Sequence, residues 1–528
     1  MVRTRRKSDS CCGHHPSLLR SFGRRAAFWR EKNQKEPTMQ SLKRPNNFVS
    51  KFPTKEKIPT ADKNAEIAPD VIEQQIFDYL TNNYPLAPGK KVMVAVSGGI
   101  DSTTLLAALR KFYGHDKVIP VFVNTGLLRR DYPLSSEDDF GYETDRLLKL
   151  LQEQFGDIIY LDERVRYIKE LAKATGFDDA ETDLGRRQII GNLFADIFGD
   201  YADMRGDIQY FFQGSNAADK SESGKGKTGV FTKTHHNEVP WLAERLENSN
   251  IEVVEPLEWI WKHQVISLGE HLGLSMELYN QPAFPGPGLG VRVDGTLDNG
   301  SLDFTGICDA IVRYRIEQAI ASGKIKKLDP TWKTRQYFAA LLNTADNNGH
   351  GSRGIDGVIN DRFKEMRSAA GEILGRWIAN YSDLDKLSQH YVTLCNTIST
   401  TGVTLDGKRV DGYQVEVRMF YPNGSPAEID YAEREQLANN LMKIKDVSRV
   451  SYALTQVKEN HEHRGPDGKL LKIEINSVDT LNFSTFVSTD IPMSVYDDIA
   501  KDIQGRFGNN VLITAAFGGK PGRTTERH

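Results

Sequence analysis

The sequence has 528 residues, of which 39% are hydrophobic and 26% charged, and its formal net charge is −3. This length gives room for two to four domains, and the composition is that of a globular protein, not of a disordered or fibrous one. No apolar run reaches the length of a transmembrane helix, so neither a membrane span nor a membrane partner is predicted. The four cysteines form neither a disulfide framework nor a zinc pattern, which favours a reducing compartment.

The charge is distributed unevenly along the chain. Residues 1–60 carry 15 Lys and Arg against 4 Asp and Glu, so the remainder is acidic and is not expected to bind nucleic acid. Residues 1–65 lack apolar periodicity and predict a basic, disordered extension of a cytoplasmic protein. Two other interpretations stay open: an Arg-rich, acid-poor transit peptide that targets an organelle, or a true start at Met39.

The most specific motif links a buried strand to a helix. Five apolar residues, Val92–Val96, predict a strand of a parallel sheet, and the run Leu105–Phe112 predicts a helix. The sequence Ser-Gly-Gly-Ile-Asp-Ser lies between them, and Ser102 and the two threonines that follow it are expected to cap the helix. Backbone N–H groups, the helix dipole and two hydroxyls would face one anion there. The predicted nucleotide-binding residues are Ser97, Gly98, Gly99, Ile100, Asp101 and Ser102.

The acidic residue of this loop indicates which anion binds. A carboxylate among phosphate-binding groups repels the ligand unless a cation bridges them, so Asp101 predicts a Mg²⁺-nucleotide and is the predicted metal ligand. No Lys follows the second glycine, so the loop is not a Walker A motif. An ordinary glycine turn between a strand and a helix is the alternative interpretation.

Alternating strands and helices continue to about residue 285. This alternation predicts a domain over 66–285 with a doubly wound, mostly parallel α/β sheet and ligands at the carboxyl ends of its strands. Two further motifs follow predicted strands: Gly-Leu-Leu-Arg at 126–129 and Gln-Gly-Ser at 213–215. We therefore expect these motifs to lie near the Ser-Gly-Gly loop.

A polar stretch, rich in Gly and Lys, follows at 215–238 and predicts a flexible lid. It ends in Lys-Thr-His-His-Asn, where Lys233 and His235 suit the neutralisation of a departing pyrophosphate. A solvated charge run or a metal-binding histidine pair are the alternatives. Adjacent side chains of an extended segment point to opposite sides, which counts against the metal pair.

Residues 286–528 predict a smaller α+β domain on a mostly antiparallel sheet, an architecture typical of dimerisation domains. The stiff sequence Phe-Pro-Gly-Pro-Gly-Leu, at 284–289, leads into it. The predicted helices cover 309–321, 366–388, 428–444 and 493–506, and the predicted strands cover 414–421, 447–457, 470–475 and 511–516.

In this order the motifs resemble the synthetase part of the GMP synthase family, whose Ser-Gly-Gly-x-Asp-Ser loop is shared by the ATP pyrophosphatases. The resemblance also includes the C-terminal sequence Lys-Pro-Gly-Arg-Thr-Thr-Glu at 520–526. It implies an adenine nucleotide alpha hydrolase-like domain followed by an α+β dimerisation domain, and a homodimer. Stretches near 343–400 and 421–485 look like insertions relative to that family.

The resemblance implies a ligase that uses ATP and Mg²⁺ to aminate XMP to GMP through an adenylyl-XMP intermediate, releasing AMP and pyrophosphate. Its implied catalytic residues are Asp101, Lys233 and His235. Gly126 and Gln213 join the implied ATP ligands. The implied XMP ligands are Arg129, Pro285, Gly286, Gln336, Lys520, Thr524 and Glu526.

Departures from the family concern the substrate pocket and the nitrogen source. Asn124 and Thr125 stand where the family has Asp before Gly-Leu-Leu-Arg, and 279–283 lacks the expected Arg-His pair. Two alternatives therefore stay open: an ATP pyrophosphatase that amidates or thiolates another acceptor, or a nucleotide sensor with weakened turnover. No class I glutaminase elbow, Gly-x-Cys-x-Gly, is found, so the expected ammonia source is free ammonium or a separate glutaminase subunit.

Overall fold

The computed structural model describes the chain from residue 50 to residue 517, with gaps. The described ranges are 50–53, 55–62, 65–133, 140–173, 183–217, 219, 240–279, 284, 286–293, 297–328, 334–344, 361–403, 409–456, 470–480, 486–509 and 511–517. All of them belong to one unit, 48–528. The domain boundary that the sequence predicts at residue 285 stays a prediction.

Five parallel strands form the first sheet, and a two-stranded antiparallel pair lies between them in sequence. The strands of this half are β1 (Lys91–Ala95), β2 (Val118–Asn124), β3 (Arg130–Asp131), β4 (Gly141–Tyr142), β5 (Ile159–Asp162), β6 (Ile208–Phe212) and β7 (Glu252–Val254). The sheet has the order β5-β2-β1-β6-β7, and β3 pairs with β4. All four pairings of the five-stranded sheet are parallel, as the sequence predicts.

Helices cover both faces of this sheet. They are α1 (Pro69–Asn83), α2 (Ile100–Tyr113), α3 (Glu143–Phe155), α4 (Arg164–Lys173), α5 (Asp183–Arg205), α6 (Pro240–Asn248), α7 (Lys262–His271) and α8 (Met276–Tyr279). Side chains alternate along β1, so Val92 and Val94 pack into one core with α1, α2, α3 and α7. Met93 packs into a second core with Phe198 of α5 and Leu246 of α6. These two cores confirm the doubly wound α/β architecture.

The second sheet has seven strands among the described residues. They are β8 (Thr334–Thr344), β9 (Gln389–Val403), β10 (Arg409–Phe420), β11 (Val447–Ala453), β12 (Leu470–Thr480), β13 (Phe486–Ser488) and β14 (Val511–Phe517). Its helices are α9 (Asn299–Ala321), α10 (Asp361–Ile378), α11 (Tyr431–Leu441) and α12 (Met493–Phe507). Four of the six pairings are antiparallel, whereas β10–β11 and β12–β14 are parallel. A further, mostly antiparallel sheet is therefore present, as predicted.

Two element predictions in this half were wrong. Helix α9 begins at Asn299, ten residues before the predicted start, because the Asp298 carboxylate accepts from Ser301 N and closes a capping box. Helix α10 ends at Ile378, ten residues before the predicted end at 388, and strand β9 lies in a stretch for which no strand was predicted. Its antiparallel partner β10 is the next strand in sequence, so the β-branched residues of 389–403 were a local signal that the prediction passed over. No described helix is long and apolar enough to cross a bilayer.

One face of the second sheet carries buried charges. Glu416 of β10 is 1% exposed, and its carboxylate accepts from Lys472 Nζ of β12 at 2.5 Å and also contacts Arg418. Burial by itself would raise the pKa of Glu416, but the charges of Lys472 and Arg418 outweigh it and hold that pKa below its ordinary value. At neutral pH these groups are therefore ionised and depend on one another.

Replacing Lys472 by Met should lower the free energy of unfolding at pH 7 by up to about 3–5 kcal/mol, because Glu416 loses one of the two cations that compensate its burial. Urea unfolding followed by circular dichroism measures this change. Lys149→Met is the control: its ammonium is exposed and lies 3.8 Å from Glu153, and such pairs contribute about 0.5 kcal/mol or less.

The pH dependence of the free energy of unfolding provides a second test with the same variant. In the unaltered chain the lowered pKa of Glu416 contributes stability above the pKa of the unfolded state, about 4.3, and loses it as the pH falls. Without Lys472 that pKa should rise, because Arg418 is left as the remaining cation to offset burial, and protonation then relieves the poorly compensated carboxylate. The difference in stability between the two proteins should therefore narrow from pH 7 to about pH 5, and a constant difference would contradict the ionic interpretation.

Candidate functional site

The order in which strands are added to the first sheet reverses direction at β1. From β1 the chain adds β2 and β5 on one side, and then β6 and β7 on the other. Ligands of such sheets bind at this switch point, outside the carboxyl ends of the strands. The Ser-Gly-Gly loop leaves β1 at that place, and the loop after β6 lies beside it because β1 and β6 are neighbours.

The loop enters helix α2 earlier than the sequence predicts. Gly99 is the N-cap and the helix begins at Ile100, so Ser102 does not cap it. Instead, Ser102 Oγ donates to Gly99 O at 3.1 Å and accepts from Ser97 N at 3.2 Å. Gly98 has a φ of +82°, which a side chain would strain. The two hydroxyls thus fix the turn, and the N–H groups of the first helical turn have no partner within the helix.

Asp101 is held by two other segments of the chain. Its Oδ1 accepts from Asn216 Nδ2 at 3.2 Å, and its Oδ2 pairs with the ammonium of Lys262. The side chains of Asp101 and Lys262 are 24% and 31% exposed, so the pair remains open to solvent on one side. The carboxylate is therefore neutralised by a cation of the chain itself.

Sequence reasoning missed Lys262. It is the first residue of α7, where the helix dipole disfavours a positive charge. A lysine at that position requires an anionic partner, and this was the one signal that the sequence offered. Its partner is 161 residues away, so the pair itself was beyond sequence reasoning.

The loop after β6 lies against the start of α2. A Cβ on Gly214 would come within 2.8 Å of Ser102 N, so only glycine permits this approach. Gln213 is 3% exposed, and neither atom of its amide has a hydrogen-bond partner among the described residues. Ser215 Oγ, also buried, lacks one as well. Such orphaned groups cost about 1–3 kcal/mol each unless a ligand or water meets them.

The loop after β2 is organised by the residue that departs from the family. Asn124 Oδ1 accepts from Gly126 N at 3.0 Å, and Asn124 Nδ2 donates to Tyr160 OH at 2.8 Å. Gly126 has a φ of +74°. Asn124 thus supplies the turn and ties it to strand β5, and it leaves the predicted position of Gly126 at the carboxyl end of the sheet intact.

Arg129, a predicted XMP ligand, is buried at the junction with the second sheet. Its guanidinium lies 3.8 Å from the centre of the Phe284 ring, and its Nε lies 3.8 Å from Asp309 Oδ2. Burial lowers the pKa of Arg129, while Asp309 opposes that change. Asp309 also accepts from Arg313 Nε at 2.9 Å and from Ala339 N of β8 at 3.1 Å. Asp309 therefore joins the loop after β2 to α9 and β8.

The glycine-rich connection uses its backbone internally. Residues 288–291 form a 3-10 turn, and Leu289 N donates to Leu127 O at 2.6 Å. Gly288, with a φ of +62°, lies so close to Leu127 that a Cβ would reach the carbonyl oxygen at 2.1 Å. Arg186 donates to Val293 O on the other side. The predicted ligand Gly286 lies in the exposed turn just before this contact.

Gln336, another predicted XMP ligand, lies within β8 opposite Val478. It is 6% exposed, and its Oε1 has no hydrogen-bond partner within the described part of the chain. The other predicted site residues, Lys233, His235, Pro285, Lys520, Thr524 and Glu526, lie outside the described residues.

The donor set fits a magnesium ion that a nucleotide brings with it. Asp101 offers one partly exposed carboxylate, and no group of three His, Cys, Asp or Glu that could hold a metal occurs among the described residues. Mg²⁺ is commonly held by one or two carboxylates together with substrate phosphates and waters. The site thus suits a Mg²⁺-nucleotide better than a resident metal ion.

This geometry puts a glycine turn and a helix N-terminus, an arrangement suited to anions, at the switch point of an α/β sheet. No family model matches the chain. Over 253 residues it is 34% identical to the glutamine-hydrolyzing GMP synthase of Lactobacillus acidophilus, which covers 48% of this chain and 43% of the relative. The corresponding values are 35% over 254 residues for Campylobacter lari and 36% over 259 residues for Clostridium tetani.

The resemblance to GMP synthases that the motifs indicate is thus confirmed for about half of the chain. The chain in turn spans less than half the length of these relatives. Among solved structures, NMN synthetase from Francisella tularensis matches with a TM-score of 0.29 at 14% identity, over 42% of this chain and 78% of that one. NH3-dependent NAD synthetase from Campylobacter jejuni matches with 0.28 at 12%, over 40% and 77%. TM-scores this low establish no common fold.

Gly288→Ala should displace the loop after β2, because the new methyl group would overlap Leu127 O in addition to straining a positive φ. We expect the free energy of unfolding to fall by more than the strain alone, which is about 1–2 kcal/mol. Gly273→Ala is the matched control: Gly273 has a φ of +78° and nothing within 4 Å of a Cβ. Equal losses in the two variants, measured by urea unfolding, would show that the contact with Leu127 is unimportant.

Proposed function

We propose that this chain is an AMP-forming ligase that adenylylates XMP with ATP and lets ammonia displace AMP to give GMP. The observation that carries the proposal is the Ser97–Ser102 loop at the switch point, with Asp101 neutralised by Lys262, in a chain related to GMP synthases. The loop selects a polyphosphate with a cation, and the relatives indicate the acceptor. A homodimer and a separate glutaminase partner are part of the same proposal.

The phosphate-binding step follows from the loop. The N–H groups of the first turn of α2, together with the Ser97 and Ser102 hydroxyls, would bind the β- and γ-phosphates of ATP. Asp101 would hold Mg²⁺, which neutralises phosphate charge when bound. Most of the rate enhancement would come from positioning and charge stabilisation, because an XMP oxygen is itself the nucleophile at the α-phosphate.

Lys262 gains a defined part in this step. Its ammonium neutralises Asp101, and a metal-bound nucleotide would compete for the same carboxylate. The released ammonium would then be available to the phosphates, where it stabilises the pyrophosphate that leaves. We therefore assign Lys262 the same role as the predicted lid residues Lys233 and His235, which is to neutralise phosphate charge.

The orphaned amide of Gln213 supports nucleotide binding at the same place. Its N–H groups and oxygen can form hydrogen bonds with a purine edge or a ribose hydroxyl. Either contact would remove the free-energy cost of burying the amide without a hydrogen-bond partner. The buried oxygen of Gln336 offers a comparable acceptor on the second sheet. The connection through Asp309 and Leu289 would hold these two groups at a fixed separation while the acceptor is adenylylated.

Ammonia is the nitrogen donor that the described residues support. Cys308 is the one cysteine whose side chain is described, and it is fully buried in α9. Burial raises the pKa of its thiol, so Cys308 is unsuited to the nucleophilic attack on glutamine that a glutaminase requires.

The test is to incubate the purified chain with Mg·ATP, XMP and ammonium and to quantify AMP and GMP by chromatography. Equimolar AMP and GMP are the expected products. AMP without GMP would point to another acceptor, and the absence of both would contradict the proposal.

Two substitutions distinguish the role of Asp101 from that of Lys262 in this assay. Asp101→Asn should abolish AMP formation, because the metal ligand is lost. Lys262→Met should lower kcat by about 10²-fold or more, since groups that stabilise transition-state charge contribute on that scale. Lys149→Met, another lysine in an ion pair but on the exposed face of α3, should leave kcat unchanged. Unchanged turnover in Lys262→Met would remove this lysine from the mechanism.

The nitrogen source has its own test. The chain alone should form GMP from ammonium and not from glutamine, and addition of a class I glutaminase should restore glutamine use. Because neutral ammonia is the nucleophile, the rate at fixed total ammonium should rise with pH from about 7 to 9. Efficient GMP formation from glutamine by the chain alone would contradict this prediction.

A further inference from the structure

A segment before the first helix lies against the part of the chain that carries Lys262. We call residues 55–62 and Ala65 the strap. Ala61 N donates to Trp259 O at 2.8 Å, and Ala61 O accepts from Trp261 Nε1 at 2.8 Å. Ala65 O accepts from Gln264 Nε2 at 2.9 Å. Three hydrogen bonds thus join the strap to the turn between β7 and α7.

The strap also contributes an ion pair and apolar contacts. Lys57 Nζ lies 2.6 Å from Glu258 Oε1, and Ile58 and Ala61 pack against the core that α1, α2 and α7 share. Each of these contacts is modest by itself. Together they hold the strap against the turn between β7 and α7, although the sequence predicts residues 1–65 to be a disordered extension.

The other side of the same turn contacts the nucleotide site. Ala217 N, in the loop after β6, donates to Ile260 O at 2.9 Å. Two residues later Lys262 starts α7 and reaches Asp101. The indole of Trp261 is therefore bonded to the strap, while the next side chain in sequence is bonded to the phosphate-binding loop.

We propose that the strap is a positioning element for the nucleotide site: it holds Trp261 and thereby sets where the Lys262 ammonium lies relative to Asp101. A side chain of four methylene groups needs a fixed Cα if its charge is to meet one carboxylate at rest and phosphates when ATP is bound. The start of α7 is held locally by Trp261 N, which donates to Gln264 Oε1 at 2.8 Å, and the strap adds a restraint on the Trp261 side chain that this local bond does not supply. This proposal rests on the proposed nucleotide chemistry of Asp101 and Lys262.

The experiment removes one hydrogen bond and keeps an aromatic side chain. Trp261→Phe lacks the indole N–H that donates to Ala61 O. Trp241→Phe is the matched control, because Trp241 Nε1 also donates at 2.8 Å, to Asp196, and packs against the opposite core. Isothermal titration measures the affinity for Mg·ATP, and product assays give kcat and KM. Hydrogen exchange of the whole chain reports on the amides of 261–265.

We expect Trp261→Phe to speed exchange at 261–265 and to weaken Mg·ATP binding or kcat/KM about fivefold, while Trp241→Phe changes neither. On a Lys262→Met background, Trp261→Phe should have no further effect, which a general loss of stability would not reproduce. Equal effects of the two Trp variants, or an undiminished effect without Lys262, would overturn the proposal. Mg·ATP binding without GMP formation would contradict the acceptor assignment alone, whereas a chain that binds no Mg·ATP would overturn both proposals.

Discussion

The proposed nucleotide site depends on a carboxylate at a helix N-terminus, a position that attracts anions. Asp101 lies in the first turn of α2, and the helix dipole favours it there by about 0.3–1 kcal/mol. Lys262 starts α7, where the dipole opposes it by a similar amount. The two dipole terms have opposite signs and nearly cancel, and a partly exposed ion pair contributes about 0.2–1 kcal/mol net. The pair therefore neutralises the charge of Asp101 while it adds little to stability.

From this pair the architecture extends in two directions. Behind it, the turn that carries Lys262 is bonded to the strap and to the loop after β6, so the cation is positioned by segments distant in sequence. On the other side, the loop after β2 is fixed to the second sheet through Asp309 and through Leu289. The contact through Leu289 joins two backbone groups, whereas Asp309 acts through its carboxylate, which also accepts from Ala339 N of β8. The loop after β2 is thus tied to the second sheet by side-chain as well as backbone contacts.

The sequence predicts local features well and long-range pairs poorly. The strand, the glycine turn and the helix around Gly98 follow from neighbouring residues, and the structure has them in that order. The start of α2 was misplaced, because the hydroxyl of Ser102 bonds back into the turn instead of capping. Lys262 and Asp309 carry no motif, since their roles depend on partners that only folding brings near. Strand β9 was missed although its partner β10 is the next strand in sequence.

For Arg129, the family resemblance implies a contact with XMP, whereas the structure indicates a role in holding the loop after β2. As an XMP ligand it would need a guanidinium directed at the substrate, yet here it is buried against Phe284 and beside Asp309. Removing one partner of a buried charge pair costs about 3–5 kcal/mol, more than a typical contact with a bound nucleotide contributes. A change at Arg129 would therefore act on the stability of the loop after β2 before it acts on the acceptor. Among the described residues, the cation that pairs with Asp101 is Lys262, not Arg129.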